Sequence, residues 1–458
     1  MQSTLAALQP CVAGTLSGAD VPFDGVSIDS RHISPGNLFV ALRGEHFDAH
    51  DFIPEVLAKG AAALVVQQLP PGVQAPALVV PDSRIALGQM ARYWRSTFTL
   101  PVIGVTGSNG KTTVKEMIAA ILAAAFGAGH YLATRGNLNN EIGVPLTLFD
   151  LHQGQRAAVI ELGMNHPGEI GVLAAIAQPT VGMVNNAQRE HQEFMASVAA
   201  VAEENGAVIR ALPSDGVAVF PADDPFSALW RGYAQQQPGR RSVTFGLSEE
   251  ADVHCTYRAN DFGSDLSVSA NGRQFELRLA AAGVHNVRNA LAATACALAL
   301  SIDVAAIQRG LESFVPVTGR LQRKRARNGA CVIDDTYNAN PDSVRAAIDV
   351  LAQAASPRIL VLGDMGEVGS EGQQFHQEIG SYARGRGIDH VLAMGDLTRA
   401  AVAAFGAAGS HCADLGALIQ AAEILLTPAA TMLVKGSRFM RMERLVQGLV
   451  GDQSTETH

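Results

Sequence analysis

The sequence predicts an α/β protein of three domains: a small N-terminal α/β domain, a central mostly parallel sheet of the phosphate-loop, ATPase-like kind, and a Rossmann-like C-terminal domain. Three observations predict it. The chain has 458 residues, more than one hydrophobic core usually supports, so about three domains is the natural expectation. Short apolar runs alternate with helix-length segments along most of it, and they are too uniformly apolar to be half-exposed strands. The strand-then-helix pattern also restarts after Pro316-Val317-Thr318-Gly319.

In order, the first domain spans residues 1–98. Runs at Leu38 to Leu42, Ala61 to Val66 and Ala77 to Val80 read as strands between Gly, Pro and Asp turns. A helical stretch around Ala86 to Arg95 leads through Thr99-Leu100-Pro101 to a new apolar strand, which places the first boundary near residue 99. The second domain, 99–316, has strands at Val102 to Val105, Ala157 to Leu162, Val181 to Asn185 and Val217 to Phe220. The third, 317–458, has strands at Cys331 to Ile333, Ile359 to Leu362, His390 to Met394 and Met432 to Val434. Its strands run into polar or glycine residues (Asp334-Asp335, Gly363-Asp364, Gly395-Asp396, Lys435-Gly436-Ser437). Ligands of open α/β sheets bind beyond the carboxyl ends of strands, so these loops are expected to face a site.

Bulk properties narrow the function. A net charge of −9 and a pI near 5.8, read as lacking a basic cluster, argue against a nucleic-acid partner. The five cysteines are scattered without a CxxC pair, which suggests neither a disulfide framework nor a zinc site and fits a reducing cytosol. Met1 to Leu16 has no basic leader region, and no apolar stretch approaches the ~18 residues of a membrane span. A soluble, cytoplasmic protein without membrane insertion is expected.

The strongest motif is Val102-Ile103-Gly104-Val105-Thr106-Gly107-Ser108-Asn109-Gly110-Lys111-Thr112-Thr113. It reads as a strand, a glycine turn and a helix whose apolar face is Val114, Met117, Ile118, Ile121 and Leu122, the context a phosphate loop requires. Backbone N–H groups close on phosphate oxygens, the helix N-terminus offers about +0.5 charge, and Lys111 reaches the terminal phosphates. Thr112 is placed to ligate Mg²⁺. Gly104 lies one residue too far from Gly110-Lys111 for the strict spacing, so this is a variant of the motif.

Glu161 ends the apolar run Val159-Ile160-Glu161, where a carboxylate could reach the metal held by Thr112. A solvated strand-end charge is the other reading. His191, in Asn185-Asn186-Ala187-Gln188-Arg189-Glu190-His191, follows another strand end, and spacing leaves its role open.

The ordered segments TGSNGKTT, IELGMNHPGEI, NNAQREH, GVHNVRNALAA, TGRLQ and DDTYNANPDS resemble the Mur ligase family and cover most of the chain. SIDSRHISPGNLFVALRGEHFDAHDF, TRGNLNNEIGVPLTL, and DDTYNANP with LGDMGEVG resemble its D-alanyl-D-alanine-adding branch, the MurF type. The resemblance implies an ATP-dependent amide ligase working through an acyl phosphate, with UDP-N-acetylmuramoyl-tripeptide, D-alanyl-D-alanine and ATP as substrates, Mg²⁺ as cofactor, and a monomeric state. It puts Thr112 and Glu161 on one Mg²⁺ and His191 on a second, with Lys111, Glu161 and His191 as catalytic residues. It gives the nucleotide Gly107, Ser108, Asn109, Gly110, Lys111, Thr112 and Thr113, then His285, Asn286 and Asn289 for adenine, and Arg320 and Asp335 as a clamp from the third domain. Asn286 and Asn289 are i and i+3 on one helix and so share a face; an Asn286 that merely caps its helix is the alternative. Ser30, Arg31, Glu45, His46 and Phe47 match positions for the UDP moiety. Asn139, Asn140 and Asn165 match the muramoyl-peptide lining, and Tyr337, Asn338 and Asn340 belong to the same substrate set.

One position departs from the family. Where many members carry a carbamoylated lysine bridging to the second metal, this chain has Asn205, and no lysine lies between Lys115 and Lys324. A unit charge pair at about 4 Å is worth roughly 4 kcal/mol at an effective dielectric of 20, so Glu203 or Glu204 is expected to supply the missing charge, or the second metal to be weakly held. Rival readings are a folylpolyglutamate synthase or MurE-type ligase, and, from another class, an ATP-binding switch. About 100 residues precede the phosphate loop and no DNPR-like motif is present, which disfavours the first two; a dedicated N-terminal domain disfavours the third.

Overall fold

Strands buried along their whole length, such as Leu38–Val40, Val102–Thr106 and Thr431–Lys435, lie at the hearts of three larger sheets that follow one another in chain order. The structure, a computed structural model, describes residues 1–190, 193–260 and 262–450. The first sheet orders its strands Thr15–Ser17, Ala77–Val79, Ala63–Val66, Leu38–Val40 and Val26–Ser27, parallel except for the first pair. A short antiparallel pair, Gln2–Thr4 with Pro22–Asp24, flanks it.

The central sheet has nine strands. Its parallel heart places Val102–Thr106 between Ala157–Glu161 and Val181–Val184, with Val217–Pro221 and Arg241–Gly246 beyond. Ile103 and Val105 face one core, shared with helices Lys111–Phe126 and Val284–Ala299; Val102, Ala158 and Ile160 face another. The antiparallel extension Val253–Asn260, Gly263–Ala270 and Arg273–Leu279 was not anticipated. Its period-two pattern, with Leu266, Val268 and Ala270 buried and intervening residues half-exposed, was the available signal.

The third sheet orders Gln322–Arg325, Cys331–Asp335, Thr431–Lys435, Arg358–Gly363, His390–Met394 and Gly409–Cys412, parallel after the first hairpin. Helices cover both faces. Its edge strand corrects one reading of the charge pattern, because Arg323, Lys324 and Arg325, flanked by Arg320 and Arg327, do form a local basic run. Lys324 pairs with Asp334 at 2.6 Å, and Arg323 lies over the Phe262 ring. Charges on an edge strand discourage pairing with other sheets.

The first two units share a core in which Leu5, Leu8, Leu87 and Met90 join residues such as Phe149, Leu173 and Ile176. Buried Arg95 fastens this junction, donating to the carbonyls of Ala177, Phe98, Leu100 and Gln178. Among the described residues no helix is long and apolar enough to cross a membrane, and none of the five cysteines is in a disulfide.

Candidate functional site

The strand Val102–Thr106 delivers the chain into a turn that opens the helix Lys111–Phe126. Gly110 has φ +82°, and a Cβ there would meet Asn289 Oδ1 at 2.5 Å and Asn185 Nδ2 at 2.6 Å. Gly107, at φ +134°, is similarly crowded by Asn185. Only glycine accepts such backbone and such proximity. Gly104 lies inside the strand, where its missing side chain admits Pro179 and Val208; it is a packing glycine, which explains the imperfect motif spacing.

The loop's shape is set by the segment after Val181–Val184, in which the motif reading assigned a role to His191 alone. Asn109 N donates to Asn186 Oδ1 at 2.9 Å, Ser108 N to Asn186 O at 3.1 Å, and Gln188 N to Ser108 Oγ at 2.9 Å. Lys111 Nζ turns back on the Gly107 carbonyl at 2.5 Å and pairs with Glu190 Oε1 at 2.9 Å. The phosphate-seeking ammonium is therefore held over its own loop.

Thr112 and Glu161 do meet. Thr112 Oγ1 donates to Glu161 Oε1 at 3.2 Å, and Asn139 Nδ2 donates to the same oxygen at 2.9 Å. Glu161 is only 2% exposed, and its Oε2 has no hydrogen-bond partner. A buried carboxylate oxygen without compensation is costly, and the hydroxyl beside it adds a second hard-oxygen donor of the kind a divalent cation prefers. The residues present thus fit Mg²⁺. His191, assigned to a second metal, lies outside the described residues.

A cavity of about 1310 Å³ joins these groups to the C-terminal unit. Ser108 to Thr113, Asn139, Asn140, Asn165, His285, Asn286, Asn289, Arg320, Asp335, Tyr337, Asn338 and Asn340 all line it. Asn289 Nδ2 donates to Asn286 Oδ1 at 3.1 Å while Asn289 Oδ1 accepts from Asn185 Nδ2 at 2.9 Å, so the pair shares a face as its spacing predicts. The capping alternative for Asn286 fails: Gly283 is the cap, and Asn286 Nδ2 donates to the Ala282 carbonyl. Loss of water around His285 pushes its imidazole down to about 4, against the nearby charge of Asp335. It is neutral at pH 7.

The C-terminal unit reaches across at named points. Arg320 Nη2 donates to Thr112 Oγ1 at 3.0 Å while its guanidinium stacks 4.2 Å from the Tyr337 ring centre, and its buried Nε lacks a partner. Asp335 accepts from Lys435 Nζ at 2.6 Å and from Leu321 N at 3.1 Å, which fixes the loop carrying Arg320. Asn340 caps the helix Pro341–Leu351 and donates from Nδ2 to Asn109 Oδ1 at 2.9 Å.

Other expected residues stand apart. Ser30, Arg31, Glu45, His46 and Phe47 do not line the cavity. Asp29 caps the turn Ser30–His32 and holds Arg31 through both carboxylate oxygens. Glu45, His46 and Phe47 lie in an exposed loop pinned by the Arg43–Asp48 ion pair at 2.7 Å.

The expectation that Glu203 or Glu204 replaces the carbamate is corrected. Glu203 is exposed, and Glu204 spends both oxygens on Gly168 N and Ile170 N, at 2.9 and 2.8 Å, at the start of helix Glu169–Ala177. Asn205 is fully buried and accepts from Thr106 Oγ1 at 2.6 Å. It braces the base of the phosphate loop.

Sequence reasoning also missed the ties between units. Arg189 bonds both oxygens of Asp342 and also Glu378; within the central unit, Asp223 pairs bidentately with Arg288. Long-range partners of this kind leave no spacing signal.

Three family models match consecutive stretches: the Mur ligase family catalytic domain over 22–95, the Mur ligase middle domain over 105–297, and the Mur ligase glutamate ligase domain over 319–438. The UDP-N-acetylmuramoyl-tripeptide--D-alanyl-D-alanine ligase of Escherichia coli (strain K12) is 40% identical, covering 97% of this chain and 98% of its own. The crystal structure of MurF from Acinetobacter baumannii superposes with a TM-score of 0.91 at 35% identity over 99% of both chains. The MurF ligase of Thermotoga maritima in complex with ADP gives 0.83 at 26% identity, covering 92% of this chain and 96% of that one. On these matches the chain belongs to the Mur ligase family.

Proposed function

We propose that this protein is the ATP-dependent ligase that joins D-alanyl-D-alanine to UDP-N-acetylmuramoyl-tripeptide, giving the pentapeptide, ADP and phosphate. The observation that carries this reading is the shared cavity, in which a phosphate loop and the strand ends of a separate Rossmann-like unit touch through Arg320 and Thr112. A switch protein has no need of such a second wall. The E. coli relative's name and its full-length match support the substrate pair.

In this reading the tripeptide carboxylate attacks the γ-phosphorus of ATP and ADP leaves, giving an acyl phosphate. The dipeptide amine then attacks the carbonyl carbon, phosphate leaves, and the nitrogen loses a proton. Lys111 leaves Glu190 for the phosphates and neutralises charge on the transferring group, as the loop N–H groups and Arg320 do. Thr112 and Glu161 would hold Mg²⁺, with His191 assigned to a second ion; such a cation offsets phosphate charge. Asn286 and Asn289 take the adenine, and Asp335 takes the ribose on release from Lys435. Asn139, Asn140 and Asn165 line the peptide path. Closure of the C-terminal wall, including Tyr337, Asn338 and Asn340, keeps water from the acyl phosphate.

The UDP moiety sits on the N-terminal unit at Ser30, Arg31 and the Glu45-His46-Phe47 loop, where Phe47, 63% exposed, offers a ring face to uracil. We take 1–98, 99–316 and 317–458 as the domains, the cytoplasm as the location, and a monomer as the working form. The test is phosphate release from ATP and Mg²⁺ with the UDP-tripeptide, with and without D-alanyl-D-alanine, while product mass is followed. Release and pentapeptide that both require the dipeptide support the ligase; ATP hydrolysis indifferent to both substrates overturns it in favour of the switch.

A further inference from the structure

Among the described residues, the cavity contains one cation that the reading above does not use and that no close partner holds. Of the lysines and arginines lining it, Lys111 is tied to Glu190, Arg288 to Asp223, Lys435 to Asp335, and Arg320 to Thr112. The remaining one, Arg438, follows the strand Thr431–Lys435 on the C-terminal wall. Its side chain is 67% exposed, and among the described residues its ion pair is a single 3.4 Å contact from Nη1 to Glu443. Most of the guanidinium fork is open.

The backbone beneath it is firmly built. Ser437 Oγ accepts from Gly366 N at 2.7 Å and donates to the Ala339 carbonyl at 3.2 Å, while Ser437 N donates to the Asp364 carbonyl at 3.0 Å. The neighbouring loop is fixed in turn by buried His376, whose Nε2 accepts from Met365 N at 3.0 Å. That loop crosses to the central unit, where Glu193 N donates to the Glu367 carbonyl at 3.2 Å. Glu367 holds a left-handed φ of +57°, a strained conformation that persists only where surroundings impose it. Arg438 therefore projects from a preorganised wall, and the Lys435–Asp335–Leu321 contacts connect that wall to Arg320 at the phosphate loop.

A dipeptide delivered to an acyl phosphate must present its amine to the carbonyl and hold its other end elsewhere. For D-alanyl-D-alanine the other end is a carboxylate, and its methyl side chains offer no further charge. A planar guanidinium matches a carboxylate with two parallel hydrogen bonds. We propose that Arg438 binds the terminal carboxylate of the incoming dipeptide and so selects for a free acid at that end. This inference rests on the ligase reading.

The test is steady-state kinetics of the full chain with D-alanyl-D-alanine and with D-alanyl-D-alaninamide, in wild type, Arg438→Gln and Arg438→Lys. Wild type should prefer the free acid. Arg438→Gln should lose roughly 10- to 100-fold in kcat/KM for the acid, the scale of hydrogen bonds to a charged group, mostly through KM. Its rate with the amide should hardly change, so the preference disappears, while Arg438→Lys restores part of it. KM for ATP and for the UDP-tripeptide should stay within about twofold, as expected when a contact to one substrate alone is removed. Arg438→Gln that keeps the wild-type preference, or that slows acid and amide equally, overturns the assignment, as does a wild type that ligates both at one rate. A wild type that ligates neither overturns the ligase reading itself, and the arginine's role falls with it.

Discussion

Arg189 donates to both carboxylate oxygens of Asp342, from Nη2 to Oδ1 at 2.6 Å and from its backbone N to Oδ2 at 2.9 Å, across the boundary between the central and C-terminal units. Glu378 adds a third anchor at 2.8 Å, and the guanidinium lies 5.5 Å from the Phe375 ring centre. These carboxylates hold Arg189 well above the usual arginine range. The group latches the central and C-terminal units together. Arg189→Ala should lower kcat about tenfold through loss of closure, with an increased radius of gyration in solution scattering. An unchanged radius together with unchanged kcat would remove the latch.

Lys111 carries the charge of the phosphate loop. Lys111→Met should lower kcat by roughly 10²- to 10³-fold, the usual scale for one preorganised charge aimed at a developing charge. Melting temperature should change little, because the ion pair it loses to Glu190 is only partly buried. Rapid-quench measurement of ADP formation would read the step directly.

Glu161 presents opposite signs for stability and activity. Replacing its buried carboxylate, whose Oε2 has no partner, by the amide should stabilise the metal-free protein by about 1 kcal/mol. The same Glu161→Gln change should raise the Mg²⁺ concentration for half-maximal activity at least about tenfold. Denaturation without metal and a Mg²⁺ titration check the two halves. A metal role would be abandoned if the Mg²⁺ dependence did not move.

Arg95 should prove more important to the fold than any surface charge. It is 4% exposed and serves carbonyls of the linker and of the turn after helix Glu169–Ala177. Arg95→Ala strands those acceptors at about 1–3 kcal/mol each, so a loss of at least roughly 3 kcal/mol is expected in urea denaturation. Arg95→Lys should recover only part.

Two histidines predict the acid limb of stability. Burial lowers His285 to about 4, and it lowers His376 as well. In the unfolded chain both titrate near the ordinary value of about 6.5. Between those values the unfolded state binds more protons, so stability rises with pH across the window and is lost as pH falls from about 6.5 towards 4. His285→Gln should flatten the dependence of melting temperature on pH in that window. An unchanged slope would show that His285 titrates normally when folded.

The legible parts of this protein were those with local physical signatures. An apolar strand, glycines and Lys-Thr-Thr in fixed spacing specify a phosphate loop, because backbone conformation and helix N-terminal charge are local properties. Asn286 and Asn289 came from the family resemblance, and helical periodicity added that they share a face. The hairpin strands after Val253 were missed although their alternation was present, and the edge strand Gln322–Arg325 was missed because its residues are charged.

Sequence by itself therefore determined the central strands of the parallel sheets and the residues of the phosphate loop, but not their outer strands Tyr131–Ala133, Arg241–Gly246 and Gly409–Cys412. Tertiary structure decided which distant groups those residues meet. Glu204 was open as a metal-site acid until its oxygens were found on Gly168 N and Ile170 N, and Arg189 acquired a role only when folding brought Asp342 to it. The physical reason is that a side chain's charge is fixed by its chemistry, whereas the partner that satisfies it is fixed by where the sheets place other chain segments. Contacts such as Arg320 with Thr112, 208 positions apart, leave no mark in local pattern.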